Sequence, residues 1–212
     1  PMTEVKNPRL LIILVSLTFV TAFAAIASLL FLHHILQSQP RTVAPSAAYR
    51  LGETLTLADW ASSGGSGPEL YVVGFPTCPY CAAFKKTELK RLLAAGVEVR
   101  AIEFAPRRAD GASVQEEAAA ADVSRTRSWL AYTSPTQAHY GMASDDIEYV
   151  ERGRATVATI DNVLQASRAE LGFPAFFWKR TGKKGEEWRF IIGSTPEATD
   201  NMLKELRSRA AS

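Results

Sequence analysis

Residues 74–86 read Gly-Phe-Pro-Thr-Cys-Pro-Tyr-Cys-Ala-Ala-Phe-Lys-Lys, and this stretch decides the fold. It holds both cysteines of the chain, Cys78 and Cys81, directly after the apolar residues 70–75, which predict a buried strand. Apolar residues then recur at roughly helical spacing over residues 82–95. The two cysteines are therefore expected at the N-terminus of a helix that follows a strand.

This position favours thiol chemistry. The first N–H groups of a helix lack partners and its dipole is positive there, so the thiolate of Cys78 is expected to be stabilised. Pro79 suits the first helical position, where its missing N–H would have had no partner anyway. Cys81, one turn further on, is expected to face Cys78 and to be the less exposed of the two. The pattern predicts that Cys78 attacks a disulfide and that Cys81 resolves the mixed disulfide.

Two other interpretations of the cysteine pair stay open. A zinc site would need two further ligands, for which the chain offers only His33, His34 and His139. A purely structural disulfide would close so short a loop that little stabilisation is expected from it. The redox interpretation needs neither a metal nor another cofactor, and we expect none.

The composition fits one globular domain of ordinary size with an appendage. Of the 212 residues, 47% are hydrophobic and 22% are charged. The net charge is only +2, and no basic patch interleaved with aromatic residues is apparent, which argues against nucleic-acid binding. Two cysteines alone do not indicate a cellular compartment.

An apolar segment precedes the cysteines. Residues 10–32 carry no charge and exceed the roughly 20 residues that a helix needs to span a bilayer. The apolar core of a cleaved signal peptide is normally about 7–15 residues long. We therefore expect a retained transmembrane helix over residues 10–36 rather than a signal peptide.

Flanking cations predict the orientation of that helix. Lys6 and Arg9 lie on its N-terminal side, whereas the first cation beyond it is Arg41. This bias predicts a cytoplasmic N-terminus over residues 1–9 and a domain on the periplasmic side of the inner membrane. Disulfides form and persist in that compartment.

The domain itself is predicted over residues 51–212, with an α/β order of elements. Residues 37–50 contain two prolines among small and polar residues and predict an extended linker. A lead-in strand and a short helix are expected over residues 51–60. After the cysteine helix, residues 97–104 alternate as a second strand, which should lie parallel to the first across a right-handed crossover.

The C-terminal half is predicted as an insertion followed by a hairpin. A helical insertion is expected over about residues 113–155, beginning with a capping box of Ser113 and Glu116. Another helix is expected over residues 156–171. A β-hairpin over residues 175–192 and a helix that begins near Pro196 complete the domain.

The assembly resembles a thioredoxin fold with a helical insertion. The resemblance rests on the turn that carries Cys78 and Cys81, on Pro174 before the hairpin, and on the closing helix. Within that superfamily, Phe-Ala-Pro-Arg at residues 104–107 and Leu-Gly-Phe-Pro-Ala at residues 171–175 are similar to the catalytic domain of bacterial DsbC/DsbG-type thiol:disulfide interchange proteins. The similarity, which includes Trp129, covers about residues 70–207.

The resemblance implies roles for individual residues. Cys78 would be the attacking thiol, Cys81 the resolving thiol, and Pro174 a cis-proline packed beside them. Contacts with an extended substrate segment are implied for residues of the turn and of the proline loop: Thr77, Pro79, Tyr80, Phe173 and Pro174. An ordinary trans proline at the start of an edge strand is the alternative.

The chain departs from the family in two places. DsbC/DsbG-type proteins dimerise through an N-terminal domain, and here the predicted anchor and linker take its place. Thioredoxins carry a buried acid on the strand before the active site, whereas residues 70–73, Leu-Tyr-Val-Val, offer none. A proton relay through such an acid is therefore not expected.

The sequence thus predicts a membrane-anchored, periplasmic thiol:disulfide oxidoreductase. Its partners would be protein thiols and disulfides and a membrane redox partner, and the direction of electron flow stays open. One alternative is a thiol reductase of cytochrome c maturation, although those typically place tryptophan where this chain has Thr77. The other alternative is a non-catalytic subunit of a larger membrane complex. Small residues in the anchor, such as Ala24 and Ser28, would let another helix approach closely.

Overall fold

A computed structural model of the chain describes residues 23, 25 and 28, then residues 38–134, 142, 144–182 and 185–210, with side chains up to Ser208. The chain divides into two units, Pro1–Gln37 and Ser38–Ser212. In the first unit, Phe23, Ala25 and Ser28 are helical. No helix of the described part of the chain is long and apolar enough to cross a membrane. Apart from those three residues, the predicted span of residues 10–36 lies outside the described residues.

The second unit alternates strands and helices around one sheet. Its strands are β1 (Arg41–Thr42), β2 (Ala61–Ser62), β3 (Glu69–Gly74), β4 (Glu98–Glu103), β5 (Ala175–Gly182) and β6 (Gly185–Ile192). Its α-helices are α1 (Pro45–Leu57), α2 (Pro79–Lys86), α3 (Glu88–Ala94), α4 (Val114–Thr126), α5 (Trp129–Thr133), α6 (Asp146–Ala166) and α7 (Pro196–Ala210). A 3-10 turn, Arg108–Asp110, follows β4.

The strands pair in the order β1-β6-β5-β3-β4-β2. As predicted, β3 and β4 are parallel and are joined by α2 and α3, and Gly74 lies opposite Glu103 in their register. The hairpin of β5 and β6 joins the other side of β3 in antiparallel orientation. A parallel strand pair, an antiparallel hairpin and a closing helix around one sheet form a thioredoxin-like fold.

Both faces of the sheet are covered, which explains the uninterrupted apolar runs at residues 70–73 of β3 and 175–178 of β5. Phe176 points to one face, where its ring contacts Phe84 of α2 with the centroids 5.0 Å apart. Its neighbour Phe177 points to the other face, among residues of α1 and α6 such as Leu51 and Leu164. Packing on both faces of the sheet holds β3 in place, and the two cysteines come shortly after its last residue, Gly74.

Residues 38–50, the described part of the predicted linker, are folded and do not form an extended linker, contrary to the prediction. From Ser38 onward they belong to the folded unit: β1 pairs with β6, and α1 begins at Pro45. Proline is compatible with a first helical turn, and the apolar side chains that recur every four residues along α1, Ala47, Leu51 and Leu55, are buried. The same helix replaces the strand and short helix expected over residues 51–60.

The insertion consists of α4, α5 and the first part of α6. The capping interaction expected at its start is present, since the backbone N–H of Glu116 donates to Ser113 Oγ at 3.1 Å. The separate helix expected over residues 156–171 is instead the second part of α6, which runs without interruption from Asp146 to Ala166. One long helix therefore takes the place of the end of the predicted insertion and of the helix predicted after it.

Candidate active site

The two cysteines lie at the start of α2, directly beyond the end of β3, as the sequence predicts. Cys78 is the N-cap residue, and the backbone N–H of Cys81 donates to Cys78 Sγ at 3.3 Å. Pro79 occupies the first turn of the helix. This is the geometry in which a backbone donor and the helix dipole both stabilise negative charge on the first sulfur.

Both cysteines are buried. Cys78 is 2% exposed and Cys81 is 4% exposed, so the prediction that Cys81 would be the less exposed of the two is wrong. The reason lies in the proline loop, whose Phe173 carbonyl oxygen is 3.9 Å from Cys78 Sγ. That loop is 95 residues away in the sequence, and local patterns around the cysteines could not show that it covers the first sulfur.

Cys81 packs directly onto the end of β3. A Cβ atom at Gly74 would lie 2.8 Å from Cys81 Sγ, so only glycine allows the helix to approach this closely. Burial raises the pKa of the Cys81 thiol far above its usual value, the contact with Cys78 raises it further, and the backbone of Phe75 opposes both. Cys81 is therefore a neutral thiol at neutral pH.

The Phe173–Pro174 peptide bond is cis, as the resemblance implies, and the trans alternative is wrong. The ring of Phe173 packs against Phe75 at 5.4 Å and against Phe104 at 5.0 Å between centroids. The carbonyl of Pro174 accepts from the backbone N–H of Gly193 at 2.8 Å, which joins the loop to the end of β6. The proline loop thus lies against the cysteine pair, where it was predicted.

The other predicted contact residues surround the first cysteine at the surface. Thr77, Pro79 and Tyr80 are all exposed, and Tyr80 is 68% exposed. The hydroxyl of Thr77 donates to the Glu116 carboxylate at 2.5 Å. The structure therefore brings all seven predicted site residues to one place: Thr77, Cys78, Pro79, Tyr80, Cys81, Phe173 and Pro174.

A buried ion pair beside Cys81 was not predicted. Glu103, the last residue of β4, is 2% exposed and pairs with Lys85, which lies one helical turn beyond Cys81. The Lys85 ammonium also donates to the Tyr132 carbonyl at 2.8 Å and lies 3.9 Å from the centroid of the Tyr132 ring. Its positive charge acts on Cys81, favouring the thiolate. These groups form a polar cluster on the inner side of the cysteine helix.

Residues 70–73 of β3 hold no acid, as noted from the sequence. The buried acid near the site comes instead from the neighbouring strand, where Glu103 lies opposite Gly74. Strand periodicity offered a signal, since residues two apart share a face and Val99, Ala101 and Glu103 form such a series. A charge on that otherwise buried face required a partner.

Burial raises the pKa of two members of this cluster, Glu103 and Tyr132. Burial raises the pKa of the Glu103 carboxyl, Lys85 opposes that rise, and the nearby Glu116 carboxylate adds to it. Burial likewise raises the pKa of the Tyr132 phenol, with further contributions from Glu103 and Cys81. A raised pKa makes a carboxylate a stronger base, which suits it to accept a proton from a neighbouring group.

The zinc interpretation gains no support from the described residues. Among them, no group of three or more His, Cys, Asp and Glu side chains could hold a metal ion. The histidines that the interpretation relied on, His33, His34 and His139, lie outside the described residues.

Comparison with known proteins finds no matching family model and no matching curated protein. Solved structures that match include BcfH of Salmonella enterica Typhimurium, with 14% identity and a TM-score of 0.46 over 92% of this chain and 93% of that chain. The catalytic domain of Proteus mirabilis ScsC matches with 14% identity and a TM-score of 0.47, over 79% and 98% of the two chains. The thiol-disulfide exchange protein alpha-DsbA2 of Wolbachia pipientis matches with 14% identity and a TM-score of 0.44, over 77% and 94%.

Proposed function

We propose that this protein is a thiol:disulfide oxidoreductase that exchanges disulfides with protein substrates through Cys78 and Cys81. One observation carries the proposal: the first sulfur lies at a helix N-terminus, 3.9 Å from the carbonyl of Phe173 in the proline loop, with the second thiol one turn behind it. The N-terminus of the helix supplies a backbone N–H that stabilises negative charge on this sulfur. The backbone of the proline loop is available to pair with an extended substrate segment.

In the first step, the Cys78 thiolate attacks one sulfur of a substrate disulfide. The substrate S–S bond breaks, its other sulfur leaves as a thiolate that takes up a proton, and a mixed disulfide with Cys78 forms. The N–H of Cys81, 3.3 Å from Cys78 Sγ, stabilises the attacking charge.

In the second step, Cys81 attacks Cys78 Sγ and displaces the substrate as a thiol. The substrate disulfide has then gained two electrons, and the cysteine pair has become a disulfide. Cys81 must first lose its proton, which its raised pKa opposes. We infer that Glu103, which pairs with Lys85 one turn beyond Cys81, accepts this proton, and Lys85 favours the resulting thiolate. Run in reverse, the same steps oxidise a substrate, and the reduction potentials of the partners decide the direction.

The setting of this reaction is part of the proposal. The apolar length of residues 10–36 and the cations before them support an inner-membrane anchor with the domain on the periplasmic side. Residues 171–175 support the DsbC/DsbG type. The partners would be protein thiols and disulfides together with a membrane redox partner that resets the cysteine pair.

Variants of single cysteines test the proposal. The full-length chain in detergent is assayed for dithiothreitol-dependent reduction of insulin, and adducts with a peptide disulfide are located by mass spectrometry. We expect Cys78→Ser to abolish turnover and Cys81→Ser to accumulate a mixed disulfide on residue 78. Ala83→Ser introduces the same side chain at an exposed position of α2 and should behave as the wild type.

Two outcomes would overturn the assignment. Adducts on Cys81 instead of Cys78 would reverse the roles of the two thiols. A pair that forms no adduct and turns over no substrate would favour the non-catalytic subunit of a membrane complex.

A further inference from the structure

A groove of about 450 Å³ opens beside the cysteine pair, between the end of β4 and helix α6. Three aromatic rings line its inner end: Phe75, Phe104 and Phe173. They contact one another, with ring centroids 5.7 Å apart for Phe75 and Phe104 and 5.0 Å apart for Phe104 and Phe173. Phe75 and Phe173 are only half-buried, so their ring surface faces the groove.

The charged groups around the groove compensate one another. Arg154 pairs with Glu117 and Glu151, and its guanidinium also donates to the backbone carbonyls of Ala105 and Pro106. Of the other charged residues that line the groove, Arg107 is positive and Asp110 and Asp161 are negative, so together with Arg154 the lining holds two cations and two acids. The groove therefore offers an apolar floor without an excess of either charge, which suits an uncharged side chain.

The groove is continuous with the reactive sulfur through the proline loop. Phe173 lines the groove with its ring, while its carbonyl oxygen lies 3.9 Å from Cys78 Sγ. A substrate sulfur bonded to Cys78 would therefore lie next to Phe173. Successive Cα atoms are about 3.8 Å apart, so a residue flanking the substrate cysteine can place its side chain in the groove.

We propose that this groove binds a large apolar side chain, aromatic or long aliphatic, of a residue that flanks the reactive cysteine in an extended segment of a protein substrate. The proposal rests on the proposed function, because it names the substrates of the same site. Covering the half-buried rings of Phe75 and Phe173 removes apolar surface from water, and an incoming ring can add edge-to-face contacts. Substrates with small or charged flanking residues lose both contributions.

The test uses short synthetic peptides as symmetrical disulfides, with phenylalanine, alanine or aspartate next to the cysteine on either side. Mixed-disulfide formation with the full-length Cys81→Ser variant is followed by stopped-flow mixing and mass spectrometry. We expect one phenylalanine peptide to react about tenfold faster than its alanine counterpart, because burying part of one ring recovers a fraction of its transfer free energy. The aspartate peptides should react no faster than the alanine peptides.

Two exposed alanines of α6 give a matched pair of variants. Ala158 lines the groove, whereas Ala155, one turn earlier, does not. Filling the groove with Ala158→Phe should bring the ratio between phenylalanine and alanine peptides close to one. Ala155→Phe should leave the ratio of rates between phenylalanine and alanine peptides at the value measured without either substitution.

The outcomes separate the two proposals. Equal rates for the phenylalanine and alanine peptides, with adducts still forming on Cys78, would overturn the groove assignment and leave the proposed function standing. A ratio that survives Ala158→Phe would also overturn it. Failure of every peptide to form an adduct would overturn the proposed function itself.

Discussion

Cys78 and Cys81 are both buried, yet their surroundings differ in the way the proposed reaction requires. Cys78 Sγ accepts a hydrogen bond from a backbone N–H at the helix start, which favours a negative charge. Cys81 Sγ lies against Gly74, where burial raises the pKa of its thiol. The first sulfur is placed to attack, and the second is held neutral until a nearby group takes its proton.

This asymmetry predicts the pH dependence of substrate release. Because the raised pKa keeps Cys81 protonated, its thiolate fraction grows about tenfold per pH unit below that pKa, and release should accelerate as the pH rises. If Glu103 accepts the proton, Glu103→Gln should slow release at neutral pH by at least about tenfold. Single-turnover decay of a mixed disulfide on Cys78 measures both effects.

A control for this prediction comes from the same strand. Glu98 of β4 is half-buried and pairs with Arg100, away from Cys81, so Glu98→Gln should release substrate at the wild-type rate. Equal rates for wild type and Glu103→Gln over the whole pH range would remove Glu103 from the reaction.

At the scale of elements, the first turn of α4 joins the active-site turn to α6. Glu116, 5% exposed, accepts from Thr77 beside the first cysteine. Its neighbour Glu117 accepts from Arg108 at 2.8 Å and from Arg154 of α6 at 2.7 Å. Two successive buried acids at a helix start also interact favourably with the helix dipole. The insertion therefore supports the site directly.

The carboxyl of Glu117 should make the free energy of unfolding depend on pH. Burial alone would raise the pKa of its carboxyl, but hydrogen bonds from Arg108 and Arg154 outweigh burial and lower it. Its stabilisation is then complete above the ordinary glutamate pKa of 4.5 and is lost as the pH falls. We expect Glu117→Gln to lower the free energy of unfolding at neutral pH by about 1–3 kcal/mol, and the difference to shrink in acid.

Denaturant unfolding of wild type and variant across the pH range measures this difference. Glu151→Gln removes the other carboxylate that pairs with Arg154, and since Glu151 is exposed, the change should be well under 1 kcal/mol, as is typical of surface pairs. A Glu117→Gln variant that matches Glu151→Gln at every pH would contradict the prediction.

At the scale of the whole molecule, the site depends on elements far apart in sequence and held together by one sheet. β3 and α2 supply the cysteines, β4 supplies Glu103, and the loop before β5 supplies Phe173. The edge of that sheet is covered by the N-terminal residues of the folded unit. Val43 is buried there, and Arg189 of β6 donates to Thr42 Oγ1 and to the Pro40 carbonyl.

The N-terminal residues of the unit should therefore contribute to its stability. A chain that begins at Ser38 keeps β1, whereas one that begins at Pro45 loses β1, buried Val43 and the contacts of Arg189. We expect the free energy of unfolding of the shorter chain to be lower by about 2–4 kcal/mol, because apolar burial and hydrogen bonds are lost. Urea unfolding of the two chains measures the difference, and equal midpoints and slopes would show that β1 contributes nothing.

The sequence by itself determined what depends on neighbours along the chain. Strand and helix periodicity placed Cys78 at a helix start after a buried strand, and the hairpin and closing helix followed from similar local patterns. The resemblance placed the proline loop beside the cysteines, but only the tertiary structure decided that Cys78 is the more buried of the two and that Glu103 pairs with Lys85 on the inner side of the cysteine helix. Those positions depend on which strands pair and in which register, and a register is fixed by packing on both faces of the sheet rather than by any one segment.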